Sequence, residues 1–201
     1  MQLLSRKSWG AQAAKRINRH PVTADLGMGV KEVFLHHSAT GQGPFREKLR
    51  AIQNYHLNHP TIPYVDIAYN AAASNLEALT ADCRGPELQG GATFGMNSTS
   101  LSICAIGNFE EDQPSQILVS NIVGLLRYWI DKGWVDKDFH LRPHSDAPGK
   151  ENATLCCGKY LKPLIPGIER QAKTTPVEAG GLEEIETQAL KLVALVREAR
   201  R

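Results

Sequence analysis

The sequence predicts an α/β fold in which a central mixed β-sheet is flanked by helices. Short apolar runs at 33–35, 67–73 and 101–106 are typical of buried strands. Residues 45–57 and 115–132 carry apolar side chains at helical spacing instead. Strands that alternate with helices indicate a sheet covered by helical layers, and 201 residues are enough for one such domain.

The boundaries of these elements follow from their flanking residues. The strand at 33–35 leads into the sequence His36-His37-Ser38. The first helix begins close to Pro44 and ends before Pro60, because proline biases the residue before it away from the helical region. The second helix is predicted to end at Gly133, a residue type that is common just after a helix C-terminus.

The composition changes after residue 172. We expect one domain over 1–172, a linker rich in Thr, Pro and Gly over 173–181, and an amphipathic C-terminal helix over 182–201. Apolar residues in that helix are spaced alternately three and four apart, which is the pattern of a coiled-coil seam. The helix therefore either docks on its own domain or associates with copies of itself.

Charge and hydropathy exclude several function classes. The chain has 23 Lys and Arg against 21 Asp and Glu, a balance that does not predict nucleic-acid binding. No apolar run is long enough to span a membrane, so no membrane insertion is expected. The first ten residues lack the apolar segment of a secretory signal, which predicts synthesis in the cytoplasm without a signal peptide.

Two histidines and one cysteine are the candidates for chemistry. His36 and His144 each follow a strand-like run, and Cys156 lies further along in a polar loop. Imidazole and thiolate ligands suit one Zn²⁺ ion, and three protein ligands leave the fourth position for water. The spacing alone is not specific, since the chain has neither an HExxH nor a CxxC motif. Buried free thiols are the alternative for its four cysteines.

Seven motifs occur along the chain in the order found in one enzyme family. They are RKSWGA at 6–11, FLHHSAT at 34–40, IQNYH at 52–56, VDIAYN at 65–70, a segment from 91 to SICAIGNF at 102–109, HSD at 144–146 and TLC at 154–156. In this order they resemble the zinc-dependent N-acetylmuramoyl-L-alanine amidases of type 2. That family includes phage amidases and animal peptidoglycan recognition proteins.

The resemblance implies a set of catalytic residues. It implies that His36, His144 and Cys156 bind zinc. It implies that Tyr69 lies beside the metal-bound water and that Thr154 assists the tetrahedral intermediate.

The resemblance also implies a substrate cleft and a substrate. His37, His56 and Asn70 would line the cleft. Residues 1–172 would form the amidase domain, and peptidoglycan would be its partner. The expected reaction is hydrolysis of the amide bond between N-acetylmuramic acid and L-alanine.

Three biological roles are compatible with the resemblance. The first is a phage endolysin that is made in the host cytoplasm and acts at the bacterial cell wall to lyse the host. The second is a recognition module without catalysis, in which the ligand set is commonly broken at the cysteine. The third is a bacterial autolysin or recycling amidase.

The chain departs from the family pattern at several positions. Cys157 stands where relatives usually have proline, so it is an alternative ligand, and Cys156 is favoured because Thr154 keeps its two-residue offset. Thr93 replaces a histidine, and Cys104 stands where some relatives have a carboxylate. The loop between the second histidine and the cysteine is long, so residues within 147–152 are expected to bulge outward.

Overall fold

A six-stranded mixed sheet forms the centre of the protein. The computed structural model describes residues 1–15, 29–62 and 64–174. The strands lie in the order β1-β4-β3-β5-β2-β6, and only the β3–β4 pair is antiparallel. The strands are β1 (Gln2–Leu4), β2 (Val30–His37), β3 (Ala71–Ala73), β4 (Leu79–Asp82), β5 (Ser100–Ala105) and β6 (Val135–Pro143). The predicted mixed sheet is confirmed.

Helices cover both faces of the sheet, as the fold prediction required. They are α1 (Arg6–Trp9), α2 (Phe45–Leu57), α3 (Gln116–Asp131) and α4 (Ile165–Thr174). Three short 3₁₀ turns follow β6, at His144–Asp146, Lys150–Asn152 and Lys162–Leu164. Within the described residues no helix is long and apolar enough to cross a membrane.

The alternation of side chains along the strands creates two hydrophobic cores. Leu35 and Ile103 face the core that contains α3 and α4. Cys104, the next residue of β5, faces the second core with Leu49 of α2 and Trp9 of α1. Because successive side chains in a strand point to opposite faces, His36 and His37 at the end of β2 must also point to opposite sides.

The structure departs from the sequence prediction at the short elements. Of the expected strand at 67–73, only Ala71–Ala73 is paired in the sheet. The three- and four-residue elements β1, α1 and β4 were not predicted. Helix α4 extends through Thr174 and so includes the first two residues of the expected linker. The rest of that linker and the expected C-terminal helix lie outside the described residues.

A buried carboxylate anchors the segment that leads to Tyr69. Asp66 has no exposed surface, and its side chain lies 2.8 Å from the Arg6 guanidinium. Its Oδ1 accepts hydrogen bonds from the Gln53 amide at 2.6 Å and from the backbone N–H of Ile67 at 2.7 Å. A buried charge is tolerated only when it is paired and hydrogen-bonded in this way. Helix α1, helix α2 and the chain before Tyr69 are therefore held at one point.

Gly158 allows the loop that carries the cysteines to pack against Phe109. Its φ is +99°, and an added Cβ would lie 2.5 Å from the backbone carbon of Phe109. We expect Gly158→Ala to lower the free energy of unfolding by about 3 kcal/mol, because strain and overpacking add. Urea denaturation measures this loss. The matched control is Gly133→Ala, since Gly133 has φ +71° with open space around it. Equal losses in the two variants would contradict the packing argument.

Candidate metal centre and adjoining cleft

His36, His144 and Cys156 lie together at the carboxyl edge of the sheet. One ligand atom from each falls within 4.8 Å of the others. Strands β2 and β6 are parallel neighbours in which Leu35 pairs with Pro143, so the residues that follow these two emerge side by side. The rings of His36 and His144 are 4.4 Å apart between centroids. Parallel pairing therefore explains how histidines so distant in sequence meet.

The loop after β6 brings the cysteine to the two histidines. The Sγ atom of Cys156 accepts a hydrogen bond from the backbone N–H of His37 at 3.3 Å. The Cys156 carbonyl accepts from the N–H of Ser145 at 2.7 Å, beside His144. Cys157 has no exposed surface and packs in the core between the sheet and α3 and α4. The three-residue group contains Cys156 and not Cys157.

Each histidine uses one ring nitrogen in a hydrogen bond and keeps the other for a ligand. The Nε2 atom of His36 lies 3.1 Å from the Thr93 hydroxyl, and Nε2 of His144 lies 3.2 Å from Oδ1 of Asn152. Polar partners of this kind fix the orientation of metal-binding histidines. Among the described residues Nδ1 of each ring has no hydrogen-bond partner, so it is the nitrogen that could coordinate a metal.

The electrostatics of the three residues suit a divalent cation. Burial lowers the pKa of His36 well below 6.5 and also lowers the pKa of His144, so both imidazoles are neutral near pH 7. Burial raises the pKa of the Cys156 thiol to about 12. Two neutral imidazoles and a thiol that a metal would deprotonate form a donor set that zinc accepts in tetrahedral geometry.

Tyr69 lies next to this group. Its ring centroid is 5.3 Å from that of His36. Burial, together with the neighbouring thiols of Cys104 and Cys156, raises the pKa of Tyr69 well above 10. The phenol therefore keeps its proton at neutral pH, and its hydroxyl is a hydrogen-bond donor that shares a side-chain hydrogen bond with Cys104.

Thr154, predicted to assist the reaction, lies on the exposed side of the cysteine loop. Its hydroxyl accepts a hydrogen bond from the backbone N–H of Cys156 at 3.2 Å. The structure thus places the hydroxyl against the loop that carries the cysteine.

A cleft of about 490 Å³ runs up to Tyr69. Helix α2 supplies one wall through residues spaced three and four apart. The lining residues are Ser38, Thr40, Lys48, Ala51, Ile52, Tyr55, His56 and Tyr69. Sequence reasoning missed Lys48 and Tyr55, although the polar face of α2 carries both at helical spacing. Lys48 brings a positive charge into the cleft.

Of the three predicted substrate residues, only His56 lines the cleft. His37 points away from it, because its Nδ1 accepts a hydrogen bond from the backbone N–H of Phe109 at 3.1 Å. Asn70 has no exposed surface, and its amide donates to the carbonyls of Gly85 and Leu88. Asn70 is therefore not among the residues that line this cleft, and its side chain holds the loop at 85–88.

The buried imidazole of His56 predicts a loss of stability in acid. Burial and the nearby Arg84 and His59 lower its pKa to about 4, against an opposing effect of Asp66. The unfolded chain therefore binds a proton as the pH falls below about 6.5, while the folded chain does not. The contribution of the neutral His56 to the free energy of unfolding is fully present above pH 6.5 and is lost as the pH falls towards 4. At pH 5 the expected loss is about 2 kcal/mol.

The variant His56→Asn tests this pH dependence. Asparagine keeps an acceptor for the backbone N–H of Ala68, which bonds to Nδ1 of His56 at 3.2 Å, but it does not titrate. Urea denaturation at about pH 7.5 and about pH 5 should show a smaller drop in unfolding free energy for the variant. The other buried histidines should contribute equally to the pH dependence of stability in the wild type and in the variant. Identical drops would show that His56 is not held neutral.

Comparison with known proteins identifies the relatives of this fold and site. Peptidoglycan-recognition protein SA of Drosophila melanogaster is 30% identical over 116 residues, which cover 56% of each chain. Peptidoglycan recognition protein 3 of Homo sapiens is 27% identical over 190 residues, which cover 94% of this chain and 51% of that protein. This chain is a homologue of the peptidoglycan recognition proteins. The resemblance to the type 2 amidase family, to which those proteins belong, is thereby confirmed.

Solved structures of these recognition proteins share the fold. Bumblebee PGRP-SA superposes with a TM-score of 0.72 at 24% identity, over 82% of this chain and 93% of that one. A human recognition protein in complex with glycosamyl muramyl pentapeptide gives a TM-score of 0.70 at 23% identity, over 81% and 93% of the two chains. No protein-family profile matches the chain. The chain spans about half the length of the curated relatives named above.

Proposed function

We propose that this peptidoglycan recognition protein homologue is a zinc-dependent N-acetylmuramoyl-L-alanine amidase. Its substrate would be the amide bond between N-acetylmuramic acid and L-alanine in bacterial peptidoglycan. The observation that carries the proposal is the complete donor set of His36, His144 and Cys156, within 4.8 Å of one another and next to a cleft. Recognition without hydrolysis needs the cleft but not the donors.

Different residues of the chain would have different roles in the reaction. His36, His144 and Cys156 would hold one Zn²⁺ ion, which when bound polarises a carbonyl and activates water. Tyr69 would donate a hydrogen bond to the oxygen that gains negative charge as the amide is attacked. Thr154, at the exposed rim of the cysteine loop, would assist the same step through its hydroxyl.

The cleft would hold the peptide part of the substrate. It reaches Tyr69 at one end and presents hydroxyls, an exposed aromatic ring and the Lys48 ammonium along its walls. These groups suit a peptide stem, which offers amides and carboxylates to bind. The bond to be cut would then lie at the metal end of the cleft. The human relative bound to a muramyl pentapeptide supports this class of ligand.

One experiment tests the proposed activity directly. Purified cell-wall fragments are incubated with the protein, and mass spectrometry identifies the bond that is cut. We expect free muramoyl groups and stem peptides with a new L-alanine amine, and one zinc per chain by elemental analysis. Chelation should abolish the cleavage and added zinc should restore it. Cleavage that survives complete removal of metal would refute the metal-dependent reaction.

A non-catalytic recognition module is the second candidate, because the curated relatives are named as recognition proteins. The same experiment separates the two. Binding to wall fragments without release of any amine would support recognition alone.

For the biological role, we propose a phage endolysin that lyses the host from within, with a bacterial autolysin or recycling amidase as the alternative. Expressed in a bacterial cytoplasm, an endolysin should leave cells intact until the inner membrane is permeabilised. Growth defects or wall turnover without permeabilisation would favour the bacterial roles.

A further inference from the structure

Asn152 connects the long loop after His144 to both candidate histidine ligands. It closes the 3₁₀ turn Lys150–Asn152 and is only 2% exposed. Its Nδ2 donates to the carbonyls of Phe94 at 3.0 Å and Pro148 at 2.6 Å. Its Oδ1 accepts from the backbone N–H of Phe94 at 3.1 Å and lies 3.2 Å from Nε2 of His144. The side-chain amide thus has a partner at every donor and acceptor position.

These partners determine which way the amide faces. The carbonyls of Phe94 and Pro148 only accept hydrogen bonds, so the atom that faces them must be the NH₂ group. The N–H of Phe94 only donates, so the atom that faces it must be the oxygen. A flipped amide would break all of these bonds. Oδ1 can therefore only accept a hydrogen bond from His144.

The orientation of the amide determines the tautomer of His144. Since Oδ1 accepts, Nε2 of His144 must carry the proton in their shared hydrogen bond. A neutral imidazole has one N–H, so Nδ1 keeps its lone pair. That lone pair is what a metal requires.

The same amide also stabilises the segment that contacts His36. Asn152 forms hydrogen bonds with both the N–H and the carbonyl of Phe94. Thr93, the residue before Phe94, has its hydroxyl 3.1 Å from Nε2 of His36. The Asn152 side chain thus bonds directly to His144. It also fixes the backbone next to Thr93, the hydrogen-bond partner of His36.

We propose that Asn152 is a positioning residue for the metal centre. Its side-chain oxygen holds His144 as the Nε2–H tautomer, which leaves the Nδ1 lone pair for a metal, and its NH₂ group holds the Thr93–Phe94 segment against His36. This inference rests on the zinc function proposed above. The expected cost of removing the amide is about 10–100-fold in metal affinity, as for other partners of ligating histidines.

The tautomer can be read in the metal-free protein by NMR. Long-range ¹H–¹⁵N correlations of the histidine rings distinguish a protonated from an unprotonated nitrogen. We expect His144 of the wild type to show a protonated Nε2 and an unprotonated Nδ1. In Asn152→Ala the two tautomers should mix. A wild-type His144 with the proton on Nδ1, or a variant with an unchanged tautomer, would overturn the proposal.

Zinc affinity is the second readout, measured by competition with a chromophoric chelator on the full chain. Asn152→Ala should bind zinc about 10–100-fold more weakly than the wild type. The matched control is Asn121→Ala, because Asn121 is also 2% exposed and its Nδ2 donates to the carbonyls of Ser74 and Glu77 rather than to a histidine. This control should lose stability but keep its zinc affinity.

The outcomes separate this inference from the proposed function. Equal zinc affinities in wild type and Asn152→Ala, or equal losses in Asn152→Ala and Asn121→Ala, would refute the positioning role and leave the amidase proposal intact. A wild type that binds no zinc would refute the amidase proposal. In that case, or if Asn152→Ala does not fold, the wild-type tautomer of His144 still decides whether Asn152 orients it.

Discussion

For the proposed zinc amidase, replacing Cys156 with alanine is expected to remove stoichiometric zinc and to lower the activity by at least about 10³-fold. The Sγ atom of Cys156 belongs to the three-residue group and is held by the backbone N–H of His37 at 3.3 Å. Two histidines alone would leave two coordination positions to water, which weakens zinc binding. Elemental analysis and release of L-alanine amines measure the two losses.

Cys157→Ala is the matched control, because it removes the same thiol one residue away. Cys157 is fully buried in the core, so its loss should cost about 1 kcal/mol of unfolding free energy and leave zinc and activity unchanged. The opposite pattern, with zinc retained in Cys156→Ala and lost in Cys157→Ala, would show that the neighbouring sulfur is the ligand. Zinc retained in both variants would show that neither sulfur alone is required for zinc binding.

Long, strongly patterned segments were predictable from the sequence. The apolar run at 33–35 lies within β2, and the helical spacing at 45–57 and 115–132 corresponds to α2 and α3. The short elements were not predictable. Strand β3 consists of three alanines, which have no alternation and no strand preference, so only pairing with β4 and β5 makes it a strand.

The candidate site, too, was only partly predictable from the sequence. His36 meets His144 because two parallel strands end at the same edge of the sheet. In the sequence, only the order of the motifs indicated that these two residues lie together. The burial of Asn70 and the role of Asn152 depend on carbonyls that distant loops bring to them. Such hydrogen bonds leave no local pattern in the sequence. Tertiary contacts therefore decide which polar residues face substrate and which support the fold.

Removing the hydroxyl of Tyr69 is expected to reduce kcat by about 10²–10³-fold while zinc content stays at one per chain. The raised pKa of Tyr69 keeps the phenol protonated, and its ring lies 5.3 Å from His36 between centroids. A proton donor at that position stabilises the oxygen that becomes negative in the transition state more than it stabilises the ground state. Tyr69→Phe should therefore lower kcat and leave KM nearly unchanged.

Tyr64→Phe provides the control for loss of a phenol in the same neighbourhood. Tyr64 packs on His56 at 4.7 Å between ring centroids, as Tyr69 does at 5.8 Å, but it is not part of the lining next to the metal group. Its variant should keep both kcat and zinc. Comparable rates in Tyr69→Phe and the wild type would assign charge stabilisation to the metal alone. A fall in zinc content in Tyr69→Phe would instead make Tyr69 a support for His36, because the lost hydroxyl would then act through the ligand and not on the substrate.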